Sequence, residues 1–311
     1  MKESHPKRVR VLVNRRSGFM WSFETLQQVF DKFWDKPDVS LTYQFCQSAE
    51  DGRAKTRRAV EQGIDVLLVV GGDGTVSTTG SVLIGTDVVL GIIPMGSGNG
   101  FARHFEIPLS PAKAIEALAN GTVVRVDVGC VNGRPFLVTC SMAWDAVLVR
   151  SFDKSPVRGI VPYIFSGAYE FLGYRPEEIV AILDSGQKLV FPDPLVFTVA
   201  NVTQFGGGAL IAPHAKADDG LLELVVAQHQ GAQVLLSNLH RVFNGTVAKM
   251  PGVVLKSFRS MIVRRPTAAP IQVDGELVEA PEEIEVKVIP KCLNVLIPQL
   301  PRGGSRRRKP A

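Results

Sequence analysis

Hydrophobic and polar positions alternate in a regular way over the first part of the chain. Apolar runs of strand length are separated by amphipathic stretches in which apolar side chains recur at helical spacing. Strands that alternate with helices predict a parallel sheet covered on both faces, so we expect a doubly wound α/β domain over residues 1–122. The strand-like runs lie at residues 9–14, 41–45, 65–70 and 88–93, and the amphipathic stretches at residues 23–34 and 49–62.

The pattern changes after residue 122. Apolar runs now follow one another with turn pairs such as Asn132-Gly133 between them, which is typical of an antiparallel sandwich or barrel. We therefore expect an antiparallel β-sandwich domain over residues 123–290, interrupted by helices at residues 158–174 and 232–244. The apolar runs of this part lie at residues 123–131, 135–140, 179–183, 195–201, 221–226, 261–263, 271–273 and 284–289.

The composition is that of a globular chain with two hydrophobic cores. Of its 311 residues 45% are hydrophobic, and no apolar run approaches the roughly 20 residues that span a bilayer. The amino-terminal segment is basic but lacks the apolar stretch of a secretory signal, so we expect a cytoplasmic protein. The four cysteines have no C-x-x-C spacing, which indicates buried thiols rather than a disulfide framework or a zinc site.

The formal net charge of +5 comes partly from basic residues at 302–309. A basic tail over residues 301–311 is either solvated or weakly attracted to an anionic membrane surface. Because no aromatic residues are interleaved with the basic ones, nucleic-acid binding is not expected. The segment before the tail, residues 291–300, is expected to pack back on the first domain.

A glycine-rich turn with one acid follows the apolar run at residues 65–70. In Gly71-Gly72-Asp73-Gly74-Thr75 the glycines let the backbone approach an anion, Asp73 can hold a cation, and Thr75 can donate a hydrogen bond. The carboxyl end of a strand is where α/β sheets bind ligands. An Asp-Gly pair is also typical of a hairpin turn, but a second glycine-rich loop, residues 94–100, follows the next strand. Together the two loops predict a site for a nucleotide polyphosphate with its metal.

Three elements of the first domain resemble those of a known family. They are residues 14–18, Asn-Arg-Arg-Ser-Gly, residues 71–75, and residues 96–103, Gly-Ser-Gly-Asn-Gly-Phe-Ala-Arg. In order and spacing they resemble the diacylglycerol kinase catalytic-domain family, which includes bacterial lipid kinases and sphingosine kinases, and the resemblance runs from Val11 to about Pro298. It implies a nucleotide-binding first domain that uses ATP and Mg²⁺. The residues implied to bind the nucleotide are Arg16, Ser17, Gly18, Gly71, Gly72, Asp73, Gly74, Thr75, Val76, Ser77 and Ser97.

The second domain adds two elements to this resemblance. Residues 213–222 are similar to the family's Asp-Gly segment, which implies a structural magnesium ion held by Asp219 and the backbone carbonyls of Lys216 and Leu221. A hairpin turn at Asp219 is compatible with that site. Residues 273–276 are similar to the family's Asp-Gly-Glu, which implies that Glu276 is the catalytic base. On residue types alone, this stretch favours a type I′ turn followed by a solvated glutamate.

The chain departs from the family pattern at two places. Arg15 stands where the first element has proline, and adds a cation that could face phosphate. The family often continues residues 71–75 with x-Asn-Glu, whereas this chain has Val76-Ser77-Thr78. The missing glutamate at position 78 leaves a non-catalytic lipid- or nucleotide-binding protein as an alternative.

The resemblance implies an ATP-dependent lipid kinase that transfers the γ-phosphoryl group to the hydroxyl of a lipid alcohol such as diacylglycerol, in the cleft between the domains. Arg103 is expected to offset phosphate charge. The implied partners are a lipid substrate and the inner face of a membrane, in transient contact, and a homodimer is kept open. An aromatic-rich segment at residues 160–172 is expected to line a lipid cavity or touch the membrane, or else to pack on the β domain.

The runner-up enzyme is a relative of NAD kinase or phosphofructokinase, since those families share Gly-Gly-Asp-Gly. Residues 96–103 and the Asp219 segment argue against both. No Walker-type phosphate loop occurs in the sequence, so a P-loop kinase is excluded.

Overall fold

The computed structural model describes residues 6–15, 22–144, 146 and 174–299. The first part of the chain forms parallel strands in the order β2-β1-β3-β4. All side chains of β3 are buried, as expected for a strand with both faces of its sheet covered. The strands are β1 (Lys7–Asn14), β2 (Val39–Cys46), β3 (Val66–Gly71) and β4 (Val89–Pro94).

The helices of this part pack in two pairs, α1 with α5 and α2 with α3. Because crossovers between parallel strands are right-handed, the chain reaches β2 over one face of the sheet and returns to β3 and β4 over the other. The predicted doubly wound domain is therefore confirmed. The helices are α1 (Phe23–Trp34), α2 (Ala49–Glu61), α3 (Asp73–Leu83), α4 (Gly100–His104) and α5 (Pro111–Ala119).

The second part of the chain is antiparallel, as predicted. Within the described residues, a six-stranded sheet has the order β14-β13-β10-β7-β16-β17, and β8, β9 and β15 extend the large sheet on the other side of a shared core. Phe136, Phe197 and Val263 are fully buried in that core. The strands from residue 122 to the end of the core are β5 (Thr122–Val131), β6 (Arg134–Phe136), β7 (Thr139–Ser141), β8 (Ile179–Leu183), β9 (Lys188–Phe191), β10 (Pro194–Ala200), β11 (Gln204–Gly206), β12 (Ala209–Leu210), β13 (Leu222–Gln228), β14 (Val253–Phe258), β15 (Ser260–Arg264), β16 (Ile271–Val273), β17 (Glu276–Val278) and β18 (Glu283–Ile297).

The apolar run at residues 135–140 is not one strand, which corrects the prediction. It contains β6 of the large sheet and β7 of the six-stranded sheet. Between them the N–H groups of Leu137 and Val138 donate to the carboxylate of Asp274 instead of to a neighbouring strand. The run therefore crosses from one sheet to the other. Periodicity cannot indicate such a crossing, because the carboxylate comes from a distant part of the sequence.

Strand β18 belongs to both parts of the molecule. Its first half pairs with β15, and further along Asn294 and Val295 pair in parallel with Val89 and Leu90 of β4. This is the segment expected to pack back on the first domain. Because the large sheet thus runs through both parts, the domain limits drawn from the sequence stay predictions.

The helix predicted at residues 232–244 is confirmed as α6 (Ala232–Phe243). The helix predicted at residues 158–174 lies outside the described residues except for Tyr174, as does the basic tail at residues 301–311. No helix in the described ranges is both long and apolar enough to cross a bilayer.

Candidate active site

The glycine-rich turn lies where the direction of strand crossovers reverses. The chain leaves β1 toward one edge of the sheet and β3 toward the other, so the carboxyl ends of these strands bound the crevice in which such sheets bind ligands. Asn14, the last residue of β1, donates from Nδ2 to Oγ1 of Thr75 at 2.8 Å. Gly72 precedes α3, so the N–H groups of the first helical turn, those of Asp73 and Gly74, have no carbonyl partner within the helix. These groups and the helix dipole suit an anion.

The two glycine-rich loops touch each other through their backbones. A Cβ atom on Gly96 would lie 2.6 Å from Cα of Gly72, and one on Gly72 would lie 3.0 Å from Cα of Gly96. The side chain of Asn99, whose φ is 53°, accepts from Gly96 N at 2.9 Å and donates to Gly96 O at 2.7 Å. We call residues 71–75 and 94–99 the glycine cradle. Only glycine at positions 72 and 96 permits the two loops to approach this closely.

Asp73 lies where the two loops of the cradle meet. A Cβ atom on Gly98 would lie 2.8 Å from its Oδ2, and its Oδ1 accepts a long hydrogen bond of 3.4 Å from Phe101 N. Burial raises the pKa of Asp73, and the charge of Asp274 adds to the rise, whereas backbone N–H donors oppose it. A divalent cation beside this carboxylate would favour its charged form and so offset the rise in pKa, and carboxylate oxygens are ligands that Mg²⁺ prefers.

The other implied nucleotide residues have different surroundings. Ser97 is exposed at the tip of its loop. The side chain of Val76 is buried in the hydrophobic core of the α/β part, so only the backbone of Val76 could reach a ligand. Ser77 donates its hydroxyl to Asp274 at 2.7 Å and is not directed at the cradle. Arg103 donates from Nε to Gly98 O at 3.0 Å, so it braces the second loop. Arg16, Ser17 and Gly18 lie outside the described residues.

Asp274 is a structural carboxylate. Its Oδ1 accepts from the N–H groups of Val138 and Thr139, and its Oδ2 accepts from Leu137 N and from the hydroxyl of Ser77. Burial raises its pKa, and these hydrogen bonds oppose the shift. With both oxygens occupied, Asp274 is poorly placed to bind a metal or take a proton. It fixes the turn before β17, where its φ of 48° and that of Gly275, 88°, fit a type I′ turn.

Glu276, the implied base, is the first residue of β17. Its carboxylate pairs with Arg134 at 2.5 Å and with Arg53 at 3.8 Å, and its side chain is about 45% exposed. The two arginines come from β6 and α2, so Glu276 is held between the two parts of the molecule. Its position depends on the turn that Asp274 fixes, two residues earlier.

The side chain of Glu276 lines a cavity of about 560 Å³, which we call the arginine cavity. The cavity lies between α2 and α3 on one side and β6, β16 and β17 on the other. None of the described residues of the glycine cradle lines it, so it adjoins the cradle without being part of it. The lining residues are Arg53, Arg57, Ser77, Thr78, Ser81, Val82, Arg134, Pro135, Val273 and Glu276.

The implied metal site at Lys216, Asp219 and Leu221 lies on the surface of the second part. Oδ1 of Asp219 accepts from Leu221 N at 3.1 Å, which forms a local turn, and its Oδ2 accepts no hydrogen bond from a described residue. One carboxylate oxygen with two backbone carbonyls suits a hard cation such as Mg²⁺. No group of three or more His, Cys, Asp or Glu side chains with metal-binding geometry occurs among the described residues. The implied ligand set, with a single carboxylate, does not require one.

Asp127 is a buried acid that the sequence analysis did not identify. It lies in β5, is fully buried, and accepts from Gly220 N and Lys291 N, both at 2.7 Å. It therefore ties the turn that contains Asp219 to the middle of β18. The available signal was a single acid between Val126 and Val128 in an apolar run, but its partners are distant in the sequence.

The chain is similar to two protein-family models and to bacterial diacylglycerol kinases. Residues 8–131 match the family model described as "Diacylglycerol kinase catalytic domain", and residues 139–297 match "YegS C-terminal NAD kinase beta sandwich-like domain". A diacylglycerol kinase of Mycobacterium tuberculosis is 31% identical over 258 residues, which cover 81% of this chain and 82% of the relative. A diacylglycerol kinase of Staphylococcus saprophyticus is 28% identical over 277 residues, which cover 87% of this chain and 89% of the relative.

Solved structures show the same fold. A crystal structure of a diacylglycerol kinase from Bacillus anthracis superposes with a TM-score of 0.71 at 19% identity, and covers 94% of this chain and 97% of its own. A second crystal structure from that organism gives a TM-score of 0.74 at 20% identity with the same coverage. The predicted fold, an α/β part followed by an antiparallel β part, is confirmed by these likenesses.

Proposed function

Because the chain belongs to the diacylglycerol kinase catalytic-domain family, we propose that it is an ATP-dependent lipid kinase that phosphorylates the hydroxyl of a lipid alcohol. The observation that carries the proposal is the backbone contact between Gly72 and Gly96, which joins two loops into one cradle at the amino end of α3. A cradle of backbone N–H groups with one carboxylate, Asp73, suits a polyphosphate and its metal.

Phosphoryl transfer requires a protein chiefly to position the reactants and to neutralise charge. In this proposal the N–H groups at the start of α3 bind phosphate oxygens, and Asp73 is the ligand for the metal. Mg²⁺, when bound, supplies neutralisation of the phosphate charge. Arg103 keeps the second loop in place through Gly98. These groups orient the γ-phosphate and exclude alternative positions of the nucleotide.

Glu276 acts on the acceptor in this proposal. Its side chain lines the arginine cavity together with Ser77 and Thr78 of α3, and its carboxylate pairs with Arg134. As a base it would take the proton of the acceptor hydroxyl while the oxygen bonds to the γ-phosphorus of ATP and the bond from that phosphorus to the departing ADP breaks. Such proton removal is typically worth about 10²–10⁴ in rate. Since the acceptor is a membrane lipid, transient contact with a membrane surface is part of the proposal.

The test is transfer of label from [γ-³²P]ATP with Mg²⁺ to diacylglycerol in detergent micelles. We expect label in the organic phase, and its loss in Asp73→Asn. Label on added NAD instead of lipid would support the runner-up enzyme. ATP binding without transfer to any lipid alcohol would support the non-catalytic alternative, for which Thr78 at the family's glutamate position is the specific observation.

A further inference from the structure

The arginine cavity carries more positive charge than its carboxylate balances. Arg53 and Arg57 enter it from α2 and Arg134 from β6, whereas Glu276 is the acid among its described lining residues. Glu276 pairs with Arg134 and Arg53. No carboxylate of the described residues lies within ion-pair distance of Arg57, so its guanidinium group has five N–H donors for a ligand or for water.

The wall formed by α3 supplies no further acid. Ser77 gives its hydroxyl to Asp274, and Ser81 donates to Thr78 O at 3.0 Å. Thr78 lines the cavity at the position where the family often has glutamate. A glutamate there would place a second carboxylate among the three arginines. With threonine at position 78, the excess positive charge of the arginines is left for a bound anion to balance.

The phosphates of the nucleotide do not account for this charge. The described residues of the glycine cradle do not line the cavity. Along α3 the helix rises about 1.5 Å per residue, so Ser81 lies about 12 Å along the axis from Asp73 at the helix start. In the proposed function the γ-phosphate approaches this cavity at Glu276, and no described residue of the cradle reaches Arg57, so Arg57 is left to another ligand.

We propose that the arginine cavity binds an oxyanion of the phosphate or phosphodiester type, and that the preferred acceptor is a lipid alcohol with an anionic headgroup rather than neutral diacylglycerol. The planar guanidinium group matches phosphate oxygens in a bidentate manner. Arg57 is the specificity-determining residue, and Thr78 keeps the cavity open to the anion. The identity of the acceptor rests on the proposed function, but binding of the oxyanion does not.

The experiment compares neutral with anionic acceptors in micelles of one detergent. The neutral acceptors are diacylglycerol and monoacylglycerol, and the anionic ones are lysophosphatidate and phosphatidylglycerol. For wild type we expect a higher kcat/KM with at least one anionic acceptor. Arg57→Gln should lower that value about 10-fold, which corresponds to about 1.4 kcal/mol, and should change the value for diacylglycerol less than 2-fold. Thr78→Glu, which restores the family's carboxylate, should also lower the preference for anionic over neutral acceptors.

The matched control is Arg58→Gln. Arg58 is the next residue of α2, is exposed, and does not line the cavity. This variant removes the same charge from the same helix and should keep the anionic preference of wild type. An equal loss in Arg57→Gln and Arg58→Gln would mean that the effect is long-range electrostatic attraction and would overturn the assignment to the cavity.

A binding measurement separates the two sources of the oxyanion. Calorimetric titration with inorganic phosphate, with a non-hydrolysable ATP analogue and Mg²⁺ present, should show a site that Arg57→Gln weakens. Such binding without a preference among acceptors would support the oxyanion site and assign it to a soluble phosphate, which would overturn the lipid assignment. Phosphate binding without any lipid turnover would refute the proposed function alone. Phosphorylation of diacylglycerol with neither preference nor Arg57-dependent phosphate binding would overturn this inference and leave the proposed function standing.

Discussion

The glycine cradle and the arginine cavity adjoin the same helix, α3, but consist of different groups. The cradle is made of backbone, with Gly72 and Gly96 in contact and Asn99 bonded to its own loop. The cavity is made of long charged side chains, and Arg134 and Glu276 are about 41% and 45% exposed. A backbone site tolerates little change in shape, whereas a side-chain site can change its specificity by single substitutions. We therefore expect the glycine cradle to bind the nucleotide and the arginine cavity to select the lipid acceptor.

The largest effect is expected from Glu276→Gln, which disables the cavity and spares the cradle. If Glu276 takes the acceptor proton, kcat falls by about 10²–10⁴, while nucleotide affinity and the melting temperature change little because the side chain is half-exposed. Steady-state kinetics with the best lipid acceptor measure this. Glu279→Gln, an exposed neighbour on the same stretch, is the control. Unaltered phosphorylation in Glu276→Gln would refute its role as the base.

Gly96→Ala is the opposite experiment, since it disturbs the cradle and spares the cavity. The new Cβ atom would lie 2.6 Å from Cα of Gly72, so the loops must separate. We expect about a 100-fold loss in kcat/KM for ATP, on the scale known for small misplacements of bound reactants. The control is Gly231→Ala, where no atom lies within 4 Å of the added Cβ and φ is −58°. Normal ATP affinity in Gly96→Ala would show that the loop contact is not needed.

Asp274→Asn alters the carboxylate that links α3 to the turn before β17. The amide group would direct its N–H donors at backbone N–H groups that now donate to the carboxylate, so we expect a loss of about 3 kcal/mol in the free energy of unfolding. Ser77→Ala removes one of the hydrogen bonds and should cost about 1 kcal/mol. Urea unfolding measures both. Equal stability of Asp274→Asn and wild type would contradict the structural role assigned to this carboxylate.

The smallest effect concerns the pH dependence of stability in Asp73→Asn without ligands. Burial raises the pKa of Asp73 in the folded protein, so its contribution to stability is full below the unfolded value near 4 and declines as the pH rises through the folded value. The asparagine variant has no such decline, so it should gain stability relative to wild type as the pH rises above about 4. The control is Asp87→Asn, an exposed acid. If Asp73→Asn instead gained stability relative to wild type as the pH is lowered, the upward direction of the Asp73 pKa shift would be contradicted.

The same contrast explains what the sequence could reveal. The cradle was predicted because each of its two glycine-rich loops directly follows a buried strand in the sequence. The strand, the loop and the following helix could therefore be placed together. The cavity was not predicted, because Arg53, Arg134 and Glu276 meet only through folding. Glu276 itself was assigned by resemblance, and its residue types alone favoured a solvated position. The hydrogen bond from Ser77 to Asp274 joins positions 197 residues apart, which no local pattern indicates.

The shared strand β18 has a consequence for how the protein loses its structure. Its pairing with β5 is interrupted between Ile289 and Leu293, and within that interruption Lys291, whose φ is 48°, donates its N–H to Asp127. The strand is thereby bent where it passes from one half of the molecule to the other, but it is not cut. Neither half can release its part of β18 without weakening the other, so heat or denaturant should unfold both halves in a single cooperative transition.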